Sequence, residues 1–154
     1  MLLKVYTDAS PSKAVIGVGV KIIGSKINLE IGVPIKPGLS TAEAEMYAFL
    51  IGVDLVRSIV GGLGLKRKAA VEFYLDSNPV IKFLYDMQEM KAASTNALKI
   101  QTLKALQDAS KVMSWKVQST RAKTNPADRL AKSARQRWST VWKAKEKREP
   151  SGRS

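Results

Sequence analysis

The chain contains no cysteine and no histidine. Disulfides, thiolate zinc sites, a catalytic cysteine and any Ser-His or Cys-His dyad are therefore excluded. Metal chemistry, if present, must run through oxygen ligands, which suit Mg²⁺ or Mn²⁺. No apolar run approaches the length of a membrane span, and Lys4 and Asp8 interrupt the first one, so it lacks a signal-peptide layout. A cytoplasmic location, with no membrane partner, is the expectation. Acidic residues are scarce: 13 Asp and Glu against 26 Lys and Arg, a net charge of +13.

What is present suggests one domain. At 154 residues and 45% apolar composition, the chain is long and apolar enough for a continuous core. Its charge is uneven. From Lys111 to Ser154 there are 13 basic residues against Asp128, Glu146 and Glu149, whereas residues 1–110 carry 13 basic and 10 acidic ones. Clustered basic residues at a pI near 10 favour a polyanion partner. A solvated basic helix and tail would give the same composition.

Residues 2–8, 14–23 and 26–33 read as strands, with a turn at Ser10-Pro11-Ser12 and a hairpin at Gly24-Ser25. Pro34, Pro37 and Gly38 mark a loop. Ser40 and Glu43 then form an S-x-x-E capping box, followed by Ala42, Met46, Phe49, Val53, Val56 and Val60 at helical spacing up to Gly61-Gly62. A strand at 71–75 leads to a helix with Asn78 as cap and Pro79 at its first position. The pattern breaks at Lys91–Thr95, and a third helix spans 96–110. Residues 112–118 form a strand, and Asn125-Pro126 opens a final helix bearing Arg129, Lys132, Arg135 and Lys143. The expected domain covers 1–148, with 149–154 a disordered tail. Three β elements, a helix, a strand and further helices indicate an α/β or α+β mixed sheet.

Four acids occupy the ends or starts of these elements. Asp8 and Asp76 end apolar strands, Glu45 lies early in the first long helix, and Asp128 opens the last one. Each has a local explanation: a turn cap for Asp8, and a favourable helix-dipole position for Asp76 and Asp128. Glu43 competes with Glu45, because the two lie on opposite flanks of the apolar stripe and periodicity does not choose between them. The capping box occupies Glu43 and leaves Glu45 without a local role.

The order of elements resembles the ribonuclease H fold, a five-stranded mixed sheet flanked by helices. The residues carrying the resemblance are Thr7-Asp8-Ala9-Ser10, Thr41-Ala42-Glu43-Ala44-Glu45-Met46, Leu75-Asp76-Ser77-Asn78 and Asn125-Pro126-Ala127-Asp128-Arg129-Leu130-Ala131. They look like the family's four acidic motifs, in the family's order, across residues 1–135. Within this resemblance Ala44-Glu45-Met46 fits the helix motif better than Ala42-Glu43-Ala44. The resemblance implies an endonuclease that cuts the RNA strand of RNA/DNA hybrids and leaves 5′-phosphate products. It also implies two Mg²⁺ or Mn²⁺ ions held by Asp8, Glu45, Asp76 and Asp128. Asp8 would bridge both ions, Glu45 and Asp76 would complete one site, and Asp128 the more exposed second.

Several features depart from the family pattern. The loop after the first Asp is the short Ala9-Ser10-Pro11-Ser12-Lys13, rather than a glycine-rich one. No histidine precedes the last Asp, where Arg121, Lys123 and Thr124 stand instead, nearer to archaeal-like and retroelement-like members. The basic handle after the second helix is absent. Hybrid binding then falls to the basic C-terminal helix, with Trp138 and Trp142 available to stack or to pack. Ser10, Ser77, Arg121, Lys123 and Asn125 are candidate nucleic-acid contacts, and a monomer is expected. The alternatives are a structure-selective DNA endonuclease of the same fold and a non-catalytic nucleic-acid-binding module.

Overall fold

Runs rich in β-branched residues become the centre of the molecule. The computed structural model describes residues 1–86 and 93–148, with the backbone alone described at 85–86, 93–96, 122 and 142–148. Strands β1 (Leu2–Ser10), β2 (Ile16–Ile23) and β3 (Asn28–Ile35) precede helix α1 (Thr41–Gly62). Strand β4 (Ala69–Leu75), helices α2 (Asn78–Asp86) and α3 (Ala93–Ala109), strand β5 (Met113–Ser119) and helix α4 (Pro126–Arg148) follow. The sheet order is β3-β2-β1-β4-β5. Strand β2 runs antiparallel to β1 and β3, while β4 is parallel to both β1 and β5. This is the mixed five-stranded sheet flanked by helices that the sequence suggested.

The element boundaries differ from expectation at several points. Pro34 lies inside β3, opposite Gly17, rather than in the following loop. An edge strand tolerates it, because the missing N–H can face away from the ladder. Helix α1 continues through Gly61-Gly62, and α2 starts at Asn78, with Ile81 N–H donating to the Ser77 carbonyl at 3.2 Å. Ser77 thus takes the flanking position expected of Asn78. Helix α3 starts at Ala93, three residues early, and a short 3-10 turn (Ala122–Thr124) precedes α4. Most of the expected break at 91–95 is helical, with Lys91 and Ala92 outside the described residues. The expected tail 149–154 also lies outside them. No described helix is long and apolar enough to cross a membrane.

Helices α1, α2 and α3 cover one face, burying Leu3, Val5, Phe49, Val53, Phe73 and Phe83 among others. Phe49 meets Phe73 edge-on at 5.1 Å. Helix α4 covers the other face over β1, β2 and β3. Glycine makes that contact possible. A Cβ on Gly17 would lie 2.6 Å from Arg135 N and overlap the Ala131 carbonyl oxygen. One on Gly19 would lie 2.7 Å from Ala131 N and overlap the Ala127 carbonyl oxygen. Ala127, Ala131 and Ala134 answer from the helix, all buried. Backbone therefore packs on backbone, and the height of α4 above the sheet is fixed by the absence of side chains.

Candidate active site

That close packing has a consequence for Asp8. Asp8 pairs with Gly19 across the β1–β2 ladder, so its side chain leaves the sheet on the same face as the vacant Gly19 position. The face is the one against which α4 begins. Asn125, 4% exposed, locks the junction: its Nδ2 donates to the Thr7 carbonyl at 3.1 Å, and its Oδ1 accepts from Ala127 N at 3.0 Å. The residue thus caps α4 and ties it to β1 one position before Asp8. Asp128, in the first turn, is delivered beside Asp8.

Glu45 arrives from the opposite face. The capping box forms as expected, with Glu43 N donating to Ser40 Oγ at 3.1 Å and Ser40 N to Glu43 Oε1 at 3.3 Å. Seven residues beyond Glu45 on the same side of α1, Gly52 lets the helix approach Thr7; a Cβ there would meet Thr7 Cγ2 at 2.7 Å. Glu45 is thereby held against the end of β1, and its Oε1 accepts from Ala9 N at 3.3 Å. Asp76 follows directly on β4, which lies beside β1 in parallel, so both strands end at the same edge.

Ligand oxygens of Asp8, Glu45 and Asp76 all lie within 4.8 Å of one another. Asp8 and Glu45 are buried, at 3% and 5% exposure. Glu45 Oε2 is buried with no hydrogen-bond donor. Its neighbours are other carboxyls, to which only a shared proton or a cation can link it. The protonation equilibria reflect this crowding. Burial, with the charges of Asp8 and Asp76 nearby, pushes Glu45 up to about 10. Burial, with the charge of Asp76 adding to it, raises Asp8 to about 7, although hydrogen bonding to Glu45 opposes the rise. Asp76 is also raised, chiefly by burial and then by the charge of Asp128. Asp128 is more open and bonds Lys132, one turn along α4, at 3.0 Å.

A cleft of about 530 Å³ opens beside these acids, lined by Thr41, Ala42, Glu45, Asp76, Ser77, Asn78 and Pro79. Ser77 is half-buried on its wall, whereas Arg121 and Lys123 are exposed before α4. Two of the sequence-selected contact residues sit differently from expectation. Ser10 is 6% exposed and presents little surface to a ligand. Asn125 has both ends of its amide committed internally, so its role here is to position α4. On the α4 basic face, Arg129 is engaged by Glu30 at 2.8 Å and Lys132 by Asp128. Trp138 is 38% exposed with the Arg137 guanidinium 5.9 Å from its ring, and the Trp142 and Lys143 side chains lie outside the described residues. Sequence reasoning missed the glycines that seat α4. Their signal was Gly17-x-Gly19 inside a strand otherwise made of Val and Ile, a pattern that marks close backbone approach.

No protein-family model and no curated protein matches the chain. Solved structures do match. Ribonuclease H1 from the halophilic archaeon Halobacterium salinarum is similar at a TM-score of 0.70 and 18% identity, covering 88% of this chain and 98% of its own. The N-terminal ribonuclease H domain of a Mycobacterium tuberculosis protein, solved as a maltose-binding-protein fusion, gives 0.69 and 18%, covering 91% and 97%. A ribonuclease H1 named LC11, solved in complex with an RNA/DNA hybrid, gives 0.71 and 17%, covering 86% and 95%. The chain has the ribonuclease H fold.

Proposed function

We propose that this chain is a divalent-metal-dependent endonuclease that hydrolyses the RNA strand of RNA/DNA hybrids, with Asp8, Glu45, Asp76 and Asp128 as its catalytic and metal-binding residues. The observation that carries this reading is the convergence of three carboxylates within 4.8 Å, with one buried oxygen left without a donor, in a chain of net charge +13. Packing like charges in a buried site costs stability unless something neutralises them. An all-oxygen set of this kind fits Mg²⁺ or Mn²⁺. The hybrid as substrate is supported by the shared fold with LC11 ribonuclease H1, whose structure holds an RNA/DNA hybrid.

Bound divalent cations, two in this reading, would neutralise the cluster and polarise a phosphodiester. The chain's own residues set the geometry. Asp8 is central, its carboxylate within 4.8 Å of those of Glu45 and Asp76 and its charge felt beside Asp128. The Ala9 amide holds Glu45 in place. Lys132 steadies Asp128 while leaving it accessible. The cleft walled by Ser77 and the start of α1 gives a nucleic-acid strand a path to Glu45 and Asp76. Arg121 and Lys123, exposed just before α4, would supply positive charge to that strand.

The test is a cleavage panel with a 5′-labelled RNA/DNA hybrid, duplex DNA, duplex RNA and single strands, each with Mg²⁺, Mn²⁺ or EDTA. Metal-dependent cutting confined to the hybrid's RNA, lost in Asp76→Asn, is the expected result. Cutting of duplex DNA with the hybrid untouched would replace this reading with that of a DNA endonuclease. Salt-sensitive binding without cutting of any substrate would replace it with that of a binding module.

A further inference from the structure

The charge of this protein is not confined to its C-terminal helix. Arg57 near the end of α1, Lys66-Arg67-Lys68 in the connection to β4, and Lys111 just before β5 are scattered in sequence. The fold gathers them at the edge of the sheet opposite the acidic cluster. Lys66, Arg67, Lys68 and Lys111 line a cavity of about 200 Å³ together with Gly64 and Val112. Arg57 and Lys111 line an adjoining one of about 360 Å³, with Gly61, Lys111 and Val112 common to both. Lys66, Arg67, Lys68 and Arg57 are exposed, and among the described residues no carboxylate pairs with any of them. Among the described residues the one acid lining the pair of cavities is Asp108, which lies 3.8 Å from Lys111.

We propose that this basic edge is a second nucleic-acid-binding surface, contacting the phosphate backbone of a duplex whose reacting strand lies in the acidic site. The inference rests on the proposed function, because it takes the same duplex as ligand for both edges.

Three observations favour a phosphate backbone. The cations line concave pockets, which suit individual phosphates. Gly61 and Gly64 keep those pockets open, with nothing within 4 Å of where their Cβ atoms would lie. Leu63 and Leu65, 45% and 38% exposed, are the large apolar residues of that connection, and two such side chains offer far less than the continuous apolar face of a membrane-surface helix. The spacing also fits. From Ala69 to Asp76, β4 spans roughly 23 Å at about 3.3 Å per residue. At the roughly 3.4 Å per base pair of duplex DNA, that is about seven base pairs, and somewhat more for the shorter rise of an A-form-like hybrid. A short duplex in the acidic site would miss the basic edge, and a long one would reach it.

The experiment compares wild type with a Lys66→Ala/Arg67→Ala/Lys68→Ala variant. Binding is measured in Ca²⁺ or EDTA to a six-base-pair RNA/DNA hairpin and to a twenty-base-pair hybrid, across a salt series. The expected result is weaker binding to the long hybrid alone, with a salt dependence shallower by about 2–3 in log–log slope. If cleavage occurs, KM for the long hybrid should rise while kcat holds. Unchanged long-hybrid affinity and slope would overturn the proposal, even with hybrid cleavage intact. Equal weakening on both lengths would overturn it too, since net charge alone would then explain the loss. Phosphatidylserine vesicles form the last arm: binding by wild type that the variant loses, with hybrid binding unchanged, would reassign the edge to a membrane.

Discussion

Asp8→Asn is expected to lose hydrolysis and gain heat stability in the same protein. Removing one electrostatic stabiliser from such a site costs roughly 10²–10³-fold in rate, and Asp8, central among the acids, should cost at least that. Stability moves the other way because the metal-free cluster is under charge stress. The folded protein holds Asp8 near 7 against an ordinary value of 3.8, mainly through burial. A carboxyl raised in this way stabilises the fold fully below its ordinary value, and the contribution is lost as pH climbs through about 7. Glu45, raised to about 10, continues the loss at higher pH. Metal-free wild type should therefore lose thermal stability from about pH 4 upward through 7. Asn keeps the shape without the charge. At pH 8 in EDTA, Asp8→Asn should melt at least about 3 °C above wild type, the shift that roughly 1 kcal/mol gives at this chain length. Melting curves at pH 4 and pH 8 check it. An equal or lower melting temperature at pH 8 would mean that the cluster is not strained.

Gly19→Ala, like Gly17→Ala, should be among the most damaging small substitutions outside the acids. The added Cβ meets the backbone of α4, at Ala131 N and the Ala127 carbonyl oxygen, and backbone cannot swing aside as a side chain can. Overpacking of this kind costs about 1–3 kcal/mol, a drop of roughly 2–12 °C in melting temperature for a chain of this size. If α4 lifts to make room, Asp128 moves away from Asp8, so activity should fall further than the lost stability explains. Gly62→Ala is the internal control, because it faces open space. A Gly19→Ala protein with unchanged melting temperature and full activity would remove the basis for the seating of α4.

Local signals in the sequence carried much of this structure. Ser40 and Glu43 announced the start of α1, and Asn125-Pro126 announced α4, because caps are written in adjacent residues. The strand runs and the order of elements were legible for the same reason. Asp8, Glu45 and Asp76 could be chosen as candidates only by motif, since their convergence depends on parallel pairing of β1 with β4, which no local pattern encodes. Asn125 illustrates the limit. Its type and position suited either a ligand contact or a tie, and only burial with both amide ends bonded separates them. The basic edge was invisible for a related reason: Arg57, Lys66, Arg67, Lys68 and Lys111 meet only in the folded chain, where they gather at one end of the sheet.

The most direct measurement is calorimetric titration of the metal-free protein with Mg²⁺ and Mn²⁺ at pH 7, repeated in buffers of different ionisation enthalpy. Carboxyls raised to about 7 and about 10 hold protons that ligation must displace. The account predicts saturable binding with net proton release, and a marked weakening of both in Glu45→Gln. Absence of binding, or binding that releases no protons and is indifferent to Glu45→Gln, would contradict the claim that these carboxylates converge to hold divalent cations.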